Sequence, residues 1–363
     1  MRTVKTAVIG CGGIANSKHM PALKRLADKG RVEIVAFCDI IVERAEKAAA
    51  DFAPGAAVYE DYKKMLEEHP EIEAVHVCTP NRSHSFITVD ALHAGKHVLC
   101  EKPMAINSEE AKKMVDAAKE TGKILTIGYQ NRQRAEVQYI KKACEAGELG
   151  EVYYAKAHAV RRRGVPTWGV FVNEYEQGGG PLIDIGTHAL DITLWTMDNY
   201  KPRMVVGTAY KKFRNQTETA NVYGDWNPEE FTVEDSAFGF ITMENGATIV
   251  LEASWALNTL DVLEAATTLC GDKAGADMDY GHARINGVKH NKMYVESPDL
   301  GTGGVDFFKG KSLSPSDAEQ KIFYDAITEG TPLCVLPEQA YVVTQILEAI
   351  YKSAETGKPV YFD

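Results

Sequence analysis

Asp184 and His188 stand four residues apart in a segment, 182–195, whose apolar run reads as helix. Their side chains therefore leave one face about one turn apart. A carboxylate beside an imidazole suits proton transfer, because imidazole titrates nearest neutral pH and can take or return a proton. Gly178-Gly179-Gly180-Pro181 supplies a pliant entry to the helix and a proline suited to its first turn. For an isolated pair, a capping aspartate and a satisfied core histidine would be the plainer reading, so the weight of this one depends on its surroundings. Asp191 would complete a third ligand for a metal, but the chain has no H-E-x-x-H or C-x-x-C cluster and no metal site is expected.

The surroundings begin at the N-terminus. An apolar run at Val4–Ile9 passes directly into Gly10-Cys11-Gly12-Gly13-Ile14-Ala15, and Met20, Leu23, Leu26 and Ala27 then recur at helical spacing. Gly10 permits a tight turn, Gly12 lets backbone approach a pyrophosphate, and the small Ala15 lets helix pack on strand, with Gly13 and Ile14 completing the phosphate-facing turn. The helix N-terminus then offers free N–H groups and the positive end of its dipole to the phosphates. A second apolar run, Val32–Cys38, is closed by Asp39, where an acid hydrogen-bonds the ribose hydroxyls of NAD and repels the extra phosphate of NADP. Ile40, Ile41 and Val42 offer no cation to that phosphate, so NAD (NADH) is the expected cofactor; the alternative is that Asp39 caps the next helix. Helices at Val42–Phe52, 83–94 and Ser108–Thr121 alternate with strands at 74–78, His97–Cys100 and 124–127. That alternation predicts crossovers and a parallel sheet covered on both faces, the doubly wound Rossmann fold.

From about Glu151 the period becomes that of strands: 151–160, 204–213, 236–243, 247–255 and 261–270, with Asn245-Gly246 and Asn286-Gly287 as hairpin signals. The fold class is thus α/β, an N-terminal Rossmann domain over 1–128 followed by an α+β domain over 129–363 with an open, mostly antiparallel sheet. The last helix, 338–356, fits against either domain. A chain of 363 residues accommodates two such domains. Hydrophobic residues at 45% and charged residues at 25% describe a globular protein, and a net charge of −11 without a long basic stretch disfavours nucleic acid and anionic membranes as partners. The start leaves no room for a secretory signal, and seven cysteines without a close pair suit buried thiols, so a cytoplasmic location is expected.

Three stretches resemble the Gfo/Idh/MocA oxidoreductases, the group of glucose-fructose oxidoreductase and inositol dehydrogenase. They are Val75-His76-Val77-Cys78-Thr79-Pro80-Asn81-Arg82-Ser83-His84, Gly95-Lys96-His97-Val98-Leu99-Cys100-Glu101-Lys102-Pro103, and Gly179 through Asp191. Gly128-Tyr129-Gln130-Asn131-Arg132 and the terminal Gly357-Lys358-Pro359 extend the likeness over essentially the whole chain. The resemblance implies that Thr79, Pro80, Asn81 and His84 lie along the nicotinamide half of the cofactor, that Glu101 holds the nicotinamide ribose, and that Gln130 sits close to the ring. It also implies a cis Lys102-Pro103 bond. Independently, each of these residues follows an expected parallel strand, where ligands of such sheets bind.

With a dinucleotide present, Lys102, Asp184 and His188 fit the oxidation of a secondary alcohol. Hydride leaves carbon for the nicotinamide while the hydroxyl proton goes to a base, either His188 or Lys102; Lys102 also suits an oxyanion donor. By the resemblance Asp184 enters the substrate pocket, binding a substrate hydroxyl or Lys102. Asn131 and Arg132 are placed for substrate hydroxyls, and this Asn131 replaces an Arg of some inositol dehydrogenases. In Arg161-Arg162-Arg163-Gly164-Val165-Pro166-Thr167-Trp168-Gly169, Trp168 would stack on a pyranose and Arg163 bind hydroxyls, against the plainer reading of a packing Trp in a solvated basic run. The expected substrate is a sugar, glycoside or cyclitol, with a 3-keto sugar as the expected product. The rivals are a redox-assisted glycosidase with no net redox change and a non-catalytic sugar or nucleotide sensor. Relatives commonly use the open sheet face as a subunit contact, which implies a homo-oligomer, dimer or tetramer.

Overall fold

The computed structural model describes residues 2–279, 281–301 and 313–362. The chain forms two compact units, 1–130 with 313–341, and 131–312 with 342–363.

The first unit is a six-stranded parallel sheet of β1 (Val4–Ile9), β2 (Val32–Cys38), β3 (Ala57–Tyr59), β4 (Ala74–Val77), β5 (His97–Cys100) and β6 (Leu125–Ile127), in the order β3-β2-β1-β4-β5-β6. Strand order reverses between β1 and β4, whose carboxyl ends carry Gly10 and Cys78; such a switch point is where doubly wound sheets bind ligands. β4 is buried along its length because helices cover both faces. Those helices are α1 (Met20–Ala27), α2 (Val42–Phe52), α3 (Tyr62–Glu68), α4 (His84–His93) and α5 (Ser108–Thr121). The ends of α5 follow local chemistry: the Asn107 side chain accepts the Glu110 N–H at its start, and Gly122 takes a left-handed conformation at its end.

The second unit contains a nine-stranded sheet made of β7 (Val152–Val160), β8 (Pro202–Tyr210), β9 (Ser236–Met243), β10 (Thr248–Ser254), β11 (Leu263–Gly271), β12 (Ala274–Asp279), β13 (His282–Lys289), β14 (Lys292–Glu296) and β15 (Val360–Tyr361). Every pairing is antiparallel except β7 with β10. Register aligns Val205, Ile241, Ile249, Ala155, Leu269, Ala276 and Ile285 in one row across seven strands. All seven are buried, while Val206 and Phe240, one step along, are exposed on the opposite face. The helices of this unit are α6 (Ala135–Glu145), the short α7 (Glu174–Gln177), α8 (Thr187–Met197) and, from its sixth residue on, α10 (Pro337–Thr356). α8 packs on β7 and β11, and α6 packs on α8, β12 and β13.

Three features depart from the sequence expectations. Asn286-Gly287 is not a turn: both lie inside β13, Asn286 opposite Gly275 and Gly287 opposite Ala274. The turn to β14 is His290-Asn291, both at positive φ (51° and 60°), the two-residue hairpin geometry that a histidine disguises in sequence. The Tyr294 ring covers Gly287, which explains a glycine in mid-strand. The short β3 and α3 fall between the helix at Val42–Phe52 and the strand at 74–78, where the sequence reading assigned no element. Finally, residues 313–341, placed with the second domain in the sequence reading, cluster with the first unit. There α9 (Pro315–Glu329) buries Phe323 and Tyr324 in the core that holds Val4, Val8 and Phe37, and Arg25 and Arg31 pair with its Asp317 and Asp325. No helix among the described residues is long and apolar enough to cross a membrane.

Candidate active site

In the first unit the glycine turn is shaped by close approach. Gly10 has φ 91°, and a Cβ there would lie 2.6 Å from the Cys78 carbonyl carbon. A Cβ at Gly12 or Gly13 would meet nothing within 4 Å, so open space lies in front of the turn where a phosphate needs it. Ile14 is half-buried against the core beneath, and Ala15 is fully buried. Asp39 accepts the Cys11 N–H at 2.7 Å through Oδ2 and the Ile41 N–H at 2.9 Å through Oδ1. One carboxylate thus ties the glycine turn to the end of β2, and each oxygen keeps a lone pair for a ribose hydroxyl. Burial pushes the Cys11 and Cys38 thiols up to about 12, which keeps both inert beside it.

The loops after β4 and β5 are pinned to each other by His84. Its Nδ1 lies 2.8 Å from the Pro103 carbonyl and its Nε2 2.8 Å from the Thr79 carbonyl. Burial lowers the His84 pKa, and the two carbonyls oppose that shift. The Ser83 hydroxyl reaches Thr79 Oγ1 and the Pro80 carbonyl, closing the turn at Asn81. Lys102-Pro103 is cis. Glu101 is 5% exposed; its Oε1 meets His19 Nε2 at 2.6 Å, and its Oε2 accepts the Lys102 backbone N–H at 3.1 Å. A Cβ at Gly128 would come within 3.3 Å of that carboxylate. Gln130 presents a buried Oε1 with no hydrogen-bond partner, an acceptor that an amide-bearing ligand would satisfy. An open glycine turn, an acid at the end of β2 and a buried acceptor beyond β6 together fit NAD.

In the second unit Asp184 sits in a turn of π-helix, Leu182–Gly186, that leads into α8, so the entry to α8 is wider than the α-helix its spacing predicts. The Trp255 indole, itself fully buried, donates to Asp184 Oδ2 at 3.0 Å. His188 follows on α8 at 9% exposure. Glu234 holds the start of this segment. It accepts the Gly180 N–H at 2.9 Å, the Leu182 N–H at 3.2 Å and the Tyr351 hydroxyl at 2.8 Å. A carboxylate buried at a helix N-terminus satisfies donors that the helix cannot. Neither Glu234 nor His19 was picked out from sequence, because their partners lie far away along the chain.

Arg132 is corrected by the structure. It is fully buried and gives Asp191 hydrogen bonds of 2.6 and 2.9 Å, over the Trp195 ring. Its guanidinium locks α8 to the preceding segment, a structural ion pair rather than a sugar ligand, and it also removes Asp191 from any metal set. Asn131, half-buried, stays in a turn before it. Arg163 donates to Asn258 Oδ1 at 2.6 Å and lies 4.6 Å from the Phe213 ring centre. Trp168 is half exposed and sits edge-on to Tyr223 and Phe171. Arg163 and Tyr223 line a cavity of about 490 Å³ within this unit, with Arg161 paired to Glu264 on its wall.

A parallel-sheet unit with an open phosphate turn and an acid at the end of β2, in one chain with a mostly antiparallel second unit, has the makeup of an NAD-binding oxidoreductase of two domains. Residues 4–129 match the model of the oxidoreductase family with NAD-binding Rossmann fold, and residues 137–277 match the GFO/IDH/MocA C-terminal domain. The chain belongs to the Gfo/Idh/MocA oxidoreductase family. It is 36% identical to D-glucoside 3-dehydrogenase of Escherichia coli (strain K12), over 98% of this chain and 97% of that one. It is 26% identical to inositol 2-dehydrogenase of Salmonella typhimurium (strain LT2), over 98% of this chain and 95% of that one. Among solved structures, levoglucosan dehydrogenase in complex with NADH and levoglucosan has the same fold, with a TM-score of 0.84 at 21% identity and 99% coverage of both chains.

Proposed function

We propose that the chain oxidises a secondary ring alcohol of a sugar, glycoside or cyclitol, a glucoside at C3 being the leading case, with Lys102, Asp184 and His188 as its catalytic residues. The observation that carries this reading is Asp184, aimed by the Trp255 indole on a segment that Glu234 caps and that continues into His188. Bound NAD supplies the hydride acceptor. The carbinol C–H bond breaks with its electron pair leaving as hydride, the C=O bond forms, and the hydroxyl proton passes to His188. Lys102 donates to the reacting oxygen and stabilises the charge growing on it. Asp184 orients a substrate hydroxyl and favours the imidazolium that forms. Gly10, Gly12, Gly13 and Ile14 form the phosphate cradle and Asp39 binds the adenosine ribose. Thr79, Pro80, Asn81, His84, Glu101 and Gln130 hold the nicotinamide half.

Arg163 and Trp168 on the 161–169 loop, with Asn131, recognise the sugar, and the cavity beside Arg163 has room for a glycoside. The exposed Val206, Phe240 and Tyr210 on the open sheet face support a homo-oligomer, and seven free cysteines, four of them buried, suit the cytoplasm. The test is NADH formation, followed by its absorbance, from a panel of free sugars, glycosides and cyclitols. Lys102→Ala and His188→Ala should each lower turnover by roughly 100-fold or more while NAD still binds. Sugar released from a glycoside without NADH accumulating would instead identify a redox-assisted glycosidase.

A further inference from the structure

A chain of buried polar side chains in the first unit ends on Glu101, and its polarity can be followed atom by atom. The Ala74 carbonyl can only accept, so the Thr6 hydroxyl donates to it, at 3.0 Å. Thr6 has then used its one proton, so the Tyr324 hydroxyl donates to Thr6 Oγ1, at 2.9 Å. Tyr324 has now used its own proton, and the His76 Nε2 that lies 2.9 Å from its oxygen must be the donor. Burial keeps His76 neutral, which leaves its Nδ1 an acceptor. His19 Nδ1, 3.0 Å away, is therefore protonated. The other nitrogen of His19 faces Glu101 Oε1 at 2.6 Å. Thr6, His19, His76 and Tyr324 are all within 2% of full burial, so water does not interrupt the series.

We propose that His19 is a positioning residue for the cofactor: polarised as a donor at both ring nitrogens, it clamps the Glu101 carboxylate in one orientation. The proposal rests on the reading of Glu101 as the ligand of the nicotinamide ribose. His19 holds Oε1, the Lys102 backbone holds Oε2, and Gly128 leaves no side chain in the way. The Glu101 carboxylate is thus held in a fixed orientation toward the hydroxyl groups it is read to bind. A charge-assisted bond this short exceeds a neutral one in strength. The His19 backbone is itself held, its carbonyl accepting from Gln320 Nε2 at 3.2 Å on α9. The return of α9 to this unit supplies both Tyr324 and Gln320, so residues far along the chain set the geometry of Glu101.

The polarity can be reversed without touching the cofactor site. Thr6→Val removes the hydroxyl that takes the Tyr324 proton, freeing Tyr324 to donate to His76 and turning the His76 tautomer around. Tyr324→Phe deprives the His76 Nε2 proton of its acceptor. Thr6→Ser keeps the hydroxyl. Two readouts on the full chain decide the matter: nitrogen NMR of the His19 ring, and NAD affinity measured by calorimetry without any sugar. The unmodified chain and Thr6→Ser should show His19 protonated at both nitrogens and equal NAD affinity. Thr6→Val and Tyr324→Phe should remove one ring proton and weaken NAD by roughly tenfold. A His19 ring with one proton in the unmodified chain overturns the proposal, as does an altered ring signal with unchanged NAD affinity. Because no sugar is present, a chain that bound NAD as expected but oxidised no sugar would fail the functional reading alone.

Discussion

In the first unit the titrating groups displaced by burial include the imidazoles of His76, His84 and His97, whereas in the second they include the carboxyls of Asp191, Glu234 and Asp235. Desolvation acts alike in both, against whichever form is charged. It lowers the histidines, His97 to about 4, and raises the carboxyls. The two units have therefore used opposite chemistry for one task, the bracing of loops that carry functional groups. His84 braces the loops of Thr79 and Pro103; Glu234 braces the helix that carries Asp184. The two ring nitrogens of His84 each lie within hydrogen-bond reach of a carbonyl, the neutral ring donating to one of them at a time, whereas the Glu234 carboxyl accepts from several donors at once.

The strongest way to break this comparison is at Glu234. Glu234→Ala leaves the Gly180 N–H, the Leu182 N–H and the Tyr351 hydroxyl without their acceptor in a buried site. The expected loss is about 3 kcal/mol of second-unit stability, read from its melting transition, together with turnover, while NAD affinity persists. Glu234→Gln keeps one acceptor oxygen and should cost less than half as much. Equal loss in both variants would show that packing, and not the accepted bonds, braces the helix.

Next comes pH, to which the two units should respond differently. A folded pKa below the unfolded value of 6.5 means that the unfolded chain binds more protons in that window. The contribution of His76, His84 and His97 is thus complete above about 6.5 and is lost as pH falls through their folded values. For Glu234 and Asp235 the folded value is raised, so their contribution is present below the ordinary carboxylate range and is lost as pH rises through the folded value. Taking the protein from neutral to mildly acid pH should weaken the first unit by on the order of 2 kcal/mol and spare the second. Hydrogen exchange of β4 and β5 against β9 and β10, corrected for intrinsic pH dependence, measures this. Parallel loss in both sheets would sink it.

What sequence could and could not announce follows the same division. The glycine turn, Asp39 and the Glu101-Lys102-Pro103 segment are local signals, each tied to a neighbouring strand end, and they were legible. Asp184 and His188 were singled out together from α-helical spacing, and the π-helical turn Leu182–Gly186 that carries Asp184 was not visible in that spacing. Arg132 was misread because its partner, Asp191, lies beyond α6, β7 and α7 along the chain. Tyr324 and Glu234 act at the far ends of contacts that span hundreds or tens of residues. The hairpin at His290-Asn291 was hidden because Asn286-Gly287 offered a stronger turn signal, one that the Tyr294 ring neutralises by packing over the glycine.

Two glycines sharpen the comparison on a smaller scale. Gly207 lies on β8, and a Cβ there would come 2.7 Å from Ile350 Cγ2 and 2.9 Å from the Ile350 carbonyl oxygen. Because backbone as well as side chain is in the way, Gly207→Ala should overpack the contact with α10 and cost about 1–3 kcal/mol in the second unit. NAD affinity should be unaffected.

Gly12 presents the reverse case. Its ordinary φ and the empty space around a built Cβ mean that Gly12→Ala meets no steric objection in the free protein, and the stability of the first unit should change by less than about 0.5 kcal/mol. The added methyl would instead occupy the volume through which backbone N–H groups approach a pyrophosphate, so NAD affinity should fall by roughly tenfold or more. Thermal melting and NAD calorimetry on the same variant separate the two effects. A destabilised Gly12→Ala with normal NAD affinity would mean that the glycine serves the turn, whereas stable protein with weakened NAD assigns that open space to the phosphates.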